Sequence, residues 1–201
     1  MEVFNKTEMQ TAETIINQGL SSAAETLSFF MKEPIVVDQI GVSNLGIADK
    51  TPLELRCTGK VHLLTTEVVG DLEGLCCLIF SDEEAEMLQK AALPPEVIND
   101  PVLFETMKDA ILLEVDNIIA AAVITQFANL LKRKMHGDVP ELNSIDSKEF
   151  ESFIKNRLDE QSHVINFKAN FLAKEKSFSP MFLWFMDNSF IDDIKRVSVK
   201  I

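Results

Sequence analysis

Along residues 8–32 apolar and small side chains recur at Ile15, Ile16, Leu20, Ala24, Leu27, Phe30 and Met31. That spacing fits one face of a helix, and Pro34 marks its end because the residue before a proline is pushed out of helical backbone. Residues 35–37, 53–57, 60–69 and 75–80 are short apolar or alternating runs set off by Gly41, Gly46, Gly59, Gly70 and Gly74, which predicts β-strands. Ser81, followed by Asp82, Glu83 and Glu84, predicts a capped helix start. A hydroxyl there accepts a free backbone N–H, and first-turn acids suit the positive end of the helix dipole. Pro94-Pro95 closes this half.

The second half repeats the plan. Residues 101–134 form a long helical pattern ended by His136-Gly137 and Pro140, residues 164–173 and 181–185 read as strands, and Asp187-Asn188-Ser189 leads into a last helix at 190–195. Placing Leu78-Ile79-Phe80-Ser81-Asp82 over Leu183-Trp184-Phe185-Met186-Asp187 puts strand, corner and acidic cap in register, and the first helices align as Asn17 over Asn117. The recurring order of long helix, strands and short helix predicts a duplicated unit, about 8–94 and 101–198. Residues 141–160 find no counterpart in the first half and read as an inserted loop with a short helix at 147–158. Two halves with one apolar helix face each bury best against each other. The expected fold is therefore α+β, a single domain over 1–201 with an antiparallel sheet, two long helices packed on one face, and a pseudo-twofold axis. Two separately cored domains joined near 94–100 are the alternative that Pro94-Pro95 allows.

Composition narrows the function. The chain has 201 residues, 46% hydrophobic and 25% charged, so it can bury a core. Nineteen Lys and Arg against 32 Asp and Glu leave a formal charge of -13, which repels a phosphate backbone or an anionic membrane surface. Nucleic acid is excluded as the expected partner. Acids at the N-terminus, without an apolar run behind them, argue against an export signal. The most apolar window, 118–131, is too short for a bilayer span of about 20 residues and carries Thr125, Gln126 and Asn129, so no membrane insertion is expected. Cys57, Cys76 and Cys77 contain no C-x-x-C and read as reduced core thiols of a cytoplasmic protein.

One helix carries the candidate chemistry. With Glu114 at the zero of a helical wheel of about 100° per residue, Leu112, Val115, Ile119, Val123 and Leu130 fall on the far side as a core stripe. Ala110, Glu114, Asn117, Ala121, Thr125 and Ala128 line the opposite face. A plain solvent face in so acidic a chain would carry several charges, yet here one acid and one amide stand among small side chains. A helix-packing seam, where alanines let another backbone approach, would use the same residues.

Glu114-Val115-Asp116-Asn117, then 22 residues, then Pro140, resembles the E-x-x-N-x22-P signature of the CheC/CheX/FliY family of chemotaxis phosphatases. The resemblance extends to the duplicated plan over nearly the whole chain. It implies a phosphatase that hydrolyses the phosphoaspartate of CheY-like response regulators in chemotaxis or related two-component signalling, with Glu114 and Asn117 as catalytic residues. Ala110 stands where the family usually has Asp or Ser, and the glycine often found shortly after the Asn is absent. Members of the CheC type carry a second site on the first-repeat helix. Here Asn17 keeps the amide, but Thr14 takes the acid position and Ile40 the proline position, so Asn17 marks a degenerate second site. The resemblance further implies a phosphorylated CheY-like receiver as partner and a Mg2+ ion held by that receiver, with no cofactor of this chain's own. A CheD-like deamidase as further partner, a homodimer, and a non-catalytic receiver-binding or CheD-binding module remain open.

The chemistry needs no protein nucleophile. An acyl phosphate is already activated, so in-line attack by water requires positioning and charge neutralisation, and an inserted amide can orient the water. Asn117 is placed for that, and the Glu114 carboxylate for pairing with a receiver lysine. His62, His136 and His163 show no metal-ligand spacing. No G-x-S-x-G, H-E-x-x-H, Walker A or G-x-G-x-x-G occurs. Phe178, Phe182, Trp184, Phe185 and Phe190 read as core, and Asp187-Asn188 and Asp192-Asp193 as helix-start acids.

Overall fold

A computed structural model describes residues 4–46, 55, 57–156, 163–173 and 176–199. Helix α1 (Lys6–Met31) begins where the Asn5 side chain accepts the Glu8 N–H at 3.0 Å and the Glu8 carboxylate accepts the Asn5 N–H at 2.7 Å. This reciprocal cap satisfies two of the four free donors of the first turn. The helix stops at Lys32, whose φ of 55° is left-handed, and strand β1 (Ile35–Gly46) follows. Strands β2 (Lys60–Gly70) and β3 (Gly74–Ser81) form a hairpin. Ser81 then caps α2 (Asp82–Ala92), as its hydroxyl and following acids predict, and a short α3 (Pro95–Ile98) leads to α4 (Pro101–Leu131). The second half continues with β4 (Met135–Gly137), β5 (Glu141–Asp146), a 3-10 turn (Ser147–Glu149), α5 (Phe150–Lys155), β6 (His163–Ala173), β7 (Lys176–Phe178), β8 (Met181–Met186) and α6 (Asn188–Ser198).

All strand pairs are antiparallel, in the order β1-β6-β8-β3-β2-β4, with β5 also beside β2 and β7 beside β6. The order places β8 next to β3 at the centre. The first strand of each half lies against the other half, β1 on β6 and β4 with β5 on β2. Helices α1 and α4 pack side by side over one face, where Leu64, Val68, Cys76, Leu78, Phe80, Phe182 and Trp184 join their apolar stripes in one core. The other face buries Val61, Leu63, Cys77, Ile79, Val164, Leu183 and Phe185 under Phe150 and Ile154 of the α5 segment. Strand β8 is buried at all six positions because both of its faces are covered. Cys76 and Cys77 point to opposite faces, as neighbours on a strand must, and both thiols are buried in the core. The C-terminal aromatics are core: Trp184 meets Phe127 at 4.6 Å and Phe190 at 5.3 Å between ring centroids, in edge-to-face geometry.

The structure corrects several sequence expectations. His136-Gly137 does not end α4. The helix closes at Lys132, again left-handed at φ 54°, and the following residues enter β4. Residues 141–146 of the expected loop are strand β5, and with β4 they span 135–146 just as β1 spans 35–46, an offset of 100 (135 − 35 and 146 − 46). The same offset relates Asn17 to Asn117 and the left-handed Lys32 to Lys132 (117 − 17 and 132 − 32). Pro140 has no N–H to give a ladder, so the strand breaks there, and β1 shows a register shift between Asp38 and Ile40 at the matching place. The cap that matches Ser81 is Asp187, one residue on from the alignment of Ser81 with Met186. Of the expected strand at 53–57, residues 53, 54 and 56 lie outside the described residues, and 55 and 57 are not in a strand. Within the expected helix at 147–158, the turn and α5 cover 147–155, and 157–158 lie outside the described residues.

Candidate functional site

Helix α4 starts at Asp100, whose carboxylate accepts the N–H groups of Val102 at 2.9 Å and Leu103 at 3.1 Å, with Pro101 in the first turn where no N–H is needed. By length and composition α4 could cross a membrane. In this fold its apolar side is core: Leu112, Val115, Ile119 and Val123 are at 0% exposure. Leu130 is only half-buried, and Leu131 takes the buried place at that end. Against α1 the seam is made by Gly19, where an added Cβ would lie 2.8 Å from the Val123 Cα. The close approach that small residues allow is therefore on the core side, not along the Glu114 face.

That face is open. Ala110, Glu114, Asn117, Ala121 and Thr125 are exposed and Ala128 is half-buried. Glu114 and Asn117 are three residues apart on one helix, a separation that brings side chains within about 5–6 Å at Cβ. Among the described residues neither side chain makes a hydrogen bond or ion pair. Thr125 returns its hydroxyl to the Ala121 carbonyl at 2.7 Å. Lys108, the cation on α4 before the pair, is held by Glu105 at 2.6 Å. The result is one uncommitted acid and one uncommitted amide on a smooth, otherwise neutral strip.

Asp116, between them in sequence, faces the opposite way. It is at 0% exposure, its Oδ2 accepts the Thr66 hydroxyl of β2 at 2.6 Å, and its Oδ1 has no partner among the described residues. Burial pushes this carboxyl up to about 7, against the Thr66 hydrogen bond, which lowers it. Burial, with Asp116 and Cys77 adding to it, likewise holds the Cys76 thiol well above its usual range. In the E-x-x-N pattern Asp116 is one of the two unspecified positions. The wheel carries the signal, because position 116, at about 200°, lies on the core side beside Val123 at about 180° and Leu112 at about 160°.

On α1, Asn17 is half-buried and Thr14 gives its hydroxyl to the Gln10 carbonyl at 2.9 Å. Thr14, Asn17, Gln18, Ser21 and Ser22 with Gln126 of α4 line an open hollow of about 540 Å³. The hollow holds amides and hydroxyls and no acid, so the first-repeat position lacks the partner that Asn117 has in Glu114. The Ile40 side chain at the proline position lies outside the described residues.

Two of the three histidines are hydrogen-bonded. His62 is buried and joins Asp82 at 2.8 Å through Nε2 and Ser144 at 3.0 Å through Nδ1, tying β5 to β2 and to the start of α2. His163 Nε2 meets Asn188 Oδ1 at 2.7 Å. Among the described residues no three His, Cys, Asp or Glu side chains are grouped to hold a metal ion. Near the end of α4, Arg133 forks onto Asp193 of α6 at 2.6 and 3.1 Å, which with Arg196 holds that carboxyl below its usual range.

No protein-family model and no curated protein sequence matches the chain. Solved structures do. FliY from Thermotoga maritima is 14% identical, with 98% of each chain covered and a TM-score of 0.71. CheX in a CheX-CheY-BeF3-Mg complex from Borrelia burgdorferi is 16% identical over 86% of this chain and 97% of that one, with a TM-score of 0.53. The FliM middle domain from H. pylori is 11% identical over 98% of this chain and all of that one, with a TM-score of 0.56. Two long helices laid on one antiparallel sheet, over almost the full length of these structures, give this chain the CheC/CheX/FliY fold.

Proposed function

We propose that the protein is a cytoplasmic phosphatase acting on the phosphoaspartate of a CheY-like response regulator. The observation that carries the reading is the exposed Glu114 and Asn117 pair, one turn apart on an otherwise uncharged helix face. Water attacks phosphorus in line, the bond from phosphorus to the aspartyl oxygen breaks, and the products are the free carboxylate and inorganic phosphate. The Asn117 amide orients the water, and the Glu114 carboxylate pairs with a lysine of the receiver and fixes the approach. The divalent ion that neutralises the phosphoryl charge belongs to the receiver. A CheX neighbour solved with CheY supports a receiver as the kind of partner that this fold accepts. Within this reading the offset of 100 between Asn17 and Asn117 reflects an internal duplication in one domain, of which only the second copy retains the acid.

A second reading is a non-catalytic module that holds a receiver or a CheD-like deamidase through the same face. Likeness to the FliM middle domain over nearly the whole chain, and Ala110 in place of an acid or serine, favour it. Phosphate release from a panel of phosphorylated receivers, with and without the protein, decides between them. Acceleration with at least one receiver is expected of a phosphatase. Binding to a receiver without acceleration makes the protein a module.

A further inference from the structure

The apolar contacts that seat α4 on the sheet, through Leu112, Val115, Ile119 and Val123, are non-directional and allow the helix to roll. A side-chain hydrogen bond between Thr66 and Asp116, 50 residues apart in the chain, joins the middle of α4 to the sheet. A hydrogen bond has a preferred direction and length, so this one sets the rotation. It does so within the turn that carries Glu114 and Asn117.

The pocket around the carboxyl suits a neutral acid better than an anion. One turn away on α4 stand Leu112, Leu113, Ile119 and Ala120. From β2 it meets Thr66, whose partner across the ladder is Cys76 of β3, a thiol that burial and the Asp116 charge hold protonated. His62, four residues along β2, is engaged with Asp82 and Ser144. Of the other elements packed on α4, α1 buries apolar side chains, Gly19 and Thr11, α2 buries Ala85, Leu88 and Gln89, Glu96 of α3, His136 of β4 and Glu141 and Asp146 of β5 are exposed, and on α6 Asp193 is paired with Arg133 and Arg196. No cation faces the carboxyl from these elements among the described residues, and one of its oxygens is unpartnered. A carboxylate accepts at several lone-pair sites and is costly to bury with one donor.

We infer that Asp116 is a positioning residue, docked on Thr66 as a neutral acid so that the α4 turn presents Glu114 and Asn117 in one fixed rotation. Ionisation leaves a buried charge with a single donor, loosens the turn and misplaces the pair. The consequence for turnover rests on the phosphatase reading, and the consequence for the helix rests on the fold alone.

Two measurements on the full chain separate these. Amide exchange across residues 112–119, corrected for its intrinsic dependence on pH, should lose protection by tenfold or more between pH 6 and pH 8.5 in the wild type. In Asp116→Asn, which keeps an oxygen for the Thr66 hydroxyl and cannot ionise, protection should stay level. Thr66→Val should lower protection already at pH 6. Equal pH responses of wild type and Asp116→Asn overturn the inference. With a phosphorylated receiver that the protein acts on, kcat of the wild type relative to Asp116→Asn should fall severalfold over the same interval with KM unchanged. A level kcat ratio also overturns it. If no receiver is dephosphorylated while the exchange result holds, the phosphatase reading fails and the positioning of the turn stands.

Discussion

Gly19 of α1 lies so close to Val123 of α4 that a Cβ on it would sit 2.8 Å from the Val123 Cα and 3.2 Å from its backbone nitrogen. Backbone cannot swing aside as a side chain can, so the helices must part to admit even a methyl group. Gly19→Ala gains about 1 kcal/mol of helix propensity but incurs an overpacking cost of about 1–3 kcal/mol, and the contact at this distance makes the larger figure apply. A lower urea midpoint with an unchanged slope is expected. A raised midpoint would show that the seam yields freely.

The exposed pair predicts different effects for its two members. Asn117→Ala should cut receiver dephosphorylation by a factor on the order of a hundred, as loss of one oriented polar group typically does, with receiver binding retained. Glu114→Ala should weaken both binding and rate, because its ion pair would be part of the interface. Asn17→Ala should change turnover little, since Thr14 supplies no carboxylate beside it. Loss of activity in Asn17→Ala with activity kept in Asn117→Ala would reverse the assignment of the working repeat.

Stability should peak at about pH 4. Asp116 is raised from 3.8 to about 7 in the folded chain, so above pH 4 the unfolded state releases its proton first and stability falls as pH rises towards 7. At about 1.4 kcal/mol per unit the full effect is on the order of a few kcal/mol. Asp193, lowered by Arg133, and Asp82, lowered by its hydrogen bond with His62, act in the opposite sense. Their stabilisation is present above about pH 4 and is lost as pH falls through their folded values. Thermal melts from pH 3 to pH 8.5 should show both limbs, and Asp116→Asn should flatten only the alkaline one.

Lys32 and Lys132 end the two long helices in left-handed backbone at φ 55° and 54°. A side chain there costs about 1 kcal/mol, which glycine avoids. Lys32→Gly and Lys132→Gly should each raise stability by about 0.5–1 kcal/mol. For a chain of this size that is a rise in Tm of about 2 °C each, readable by calorimetry.

Helix starts, the two long helices and the open face of α4 were legible before any coordinates, because each depends on side chains a few residues apart. Ser81 and its acids, the stripe Leu112, Val115, Ile119 and Val123, and the exposure of Glu114 and Asn117 follow from local periodicity and capping chemistry. Strand β5 was not legible. Its residues Glu141–Asp146 alternate weakly and contain few apolar side chains, and Pro140 interrupts the strand it would extend.

By itself the sequence determined which segments form helices, where they are capped, and that one acid and one amide share an exposed, neutral strip. Only the tertiary structure decided that β1 crosses to β6 and β5 to β2, that Thr66 anchors Asp116, and that His62 links Ser144 to Asp82. The physical reason is separation along the chain. The partners of Asp116 and His62 lie 50 and 82 residues away, and a local hydrophobic pattern shows which face of an element is buried but not which distant polar group will meet it there.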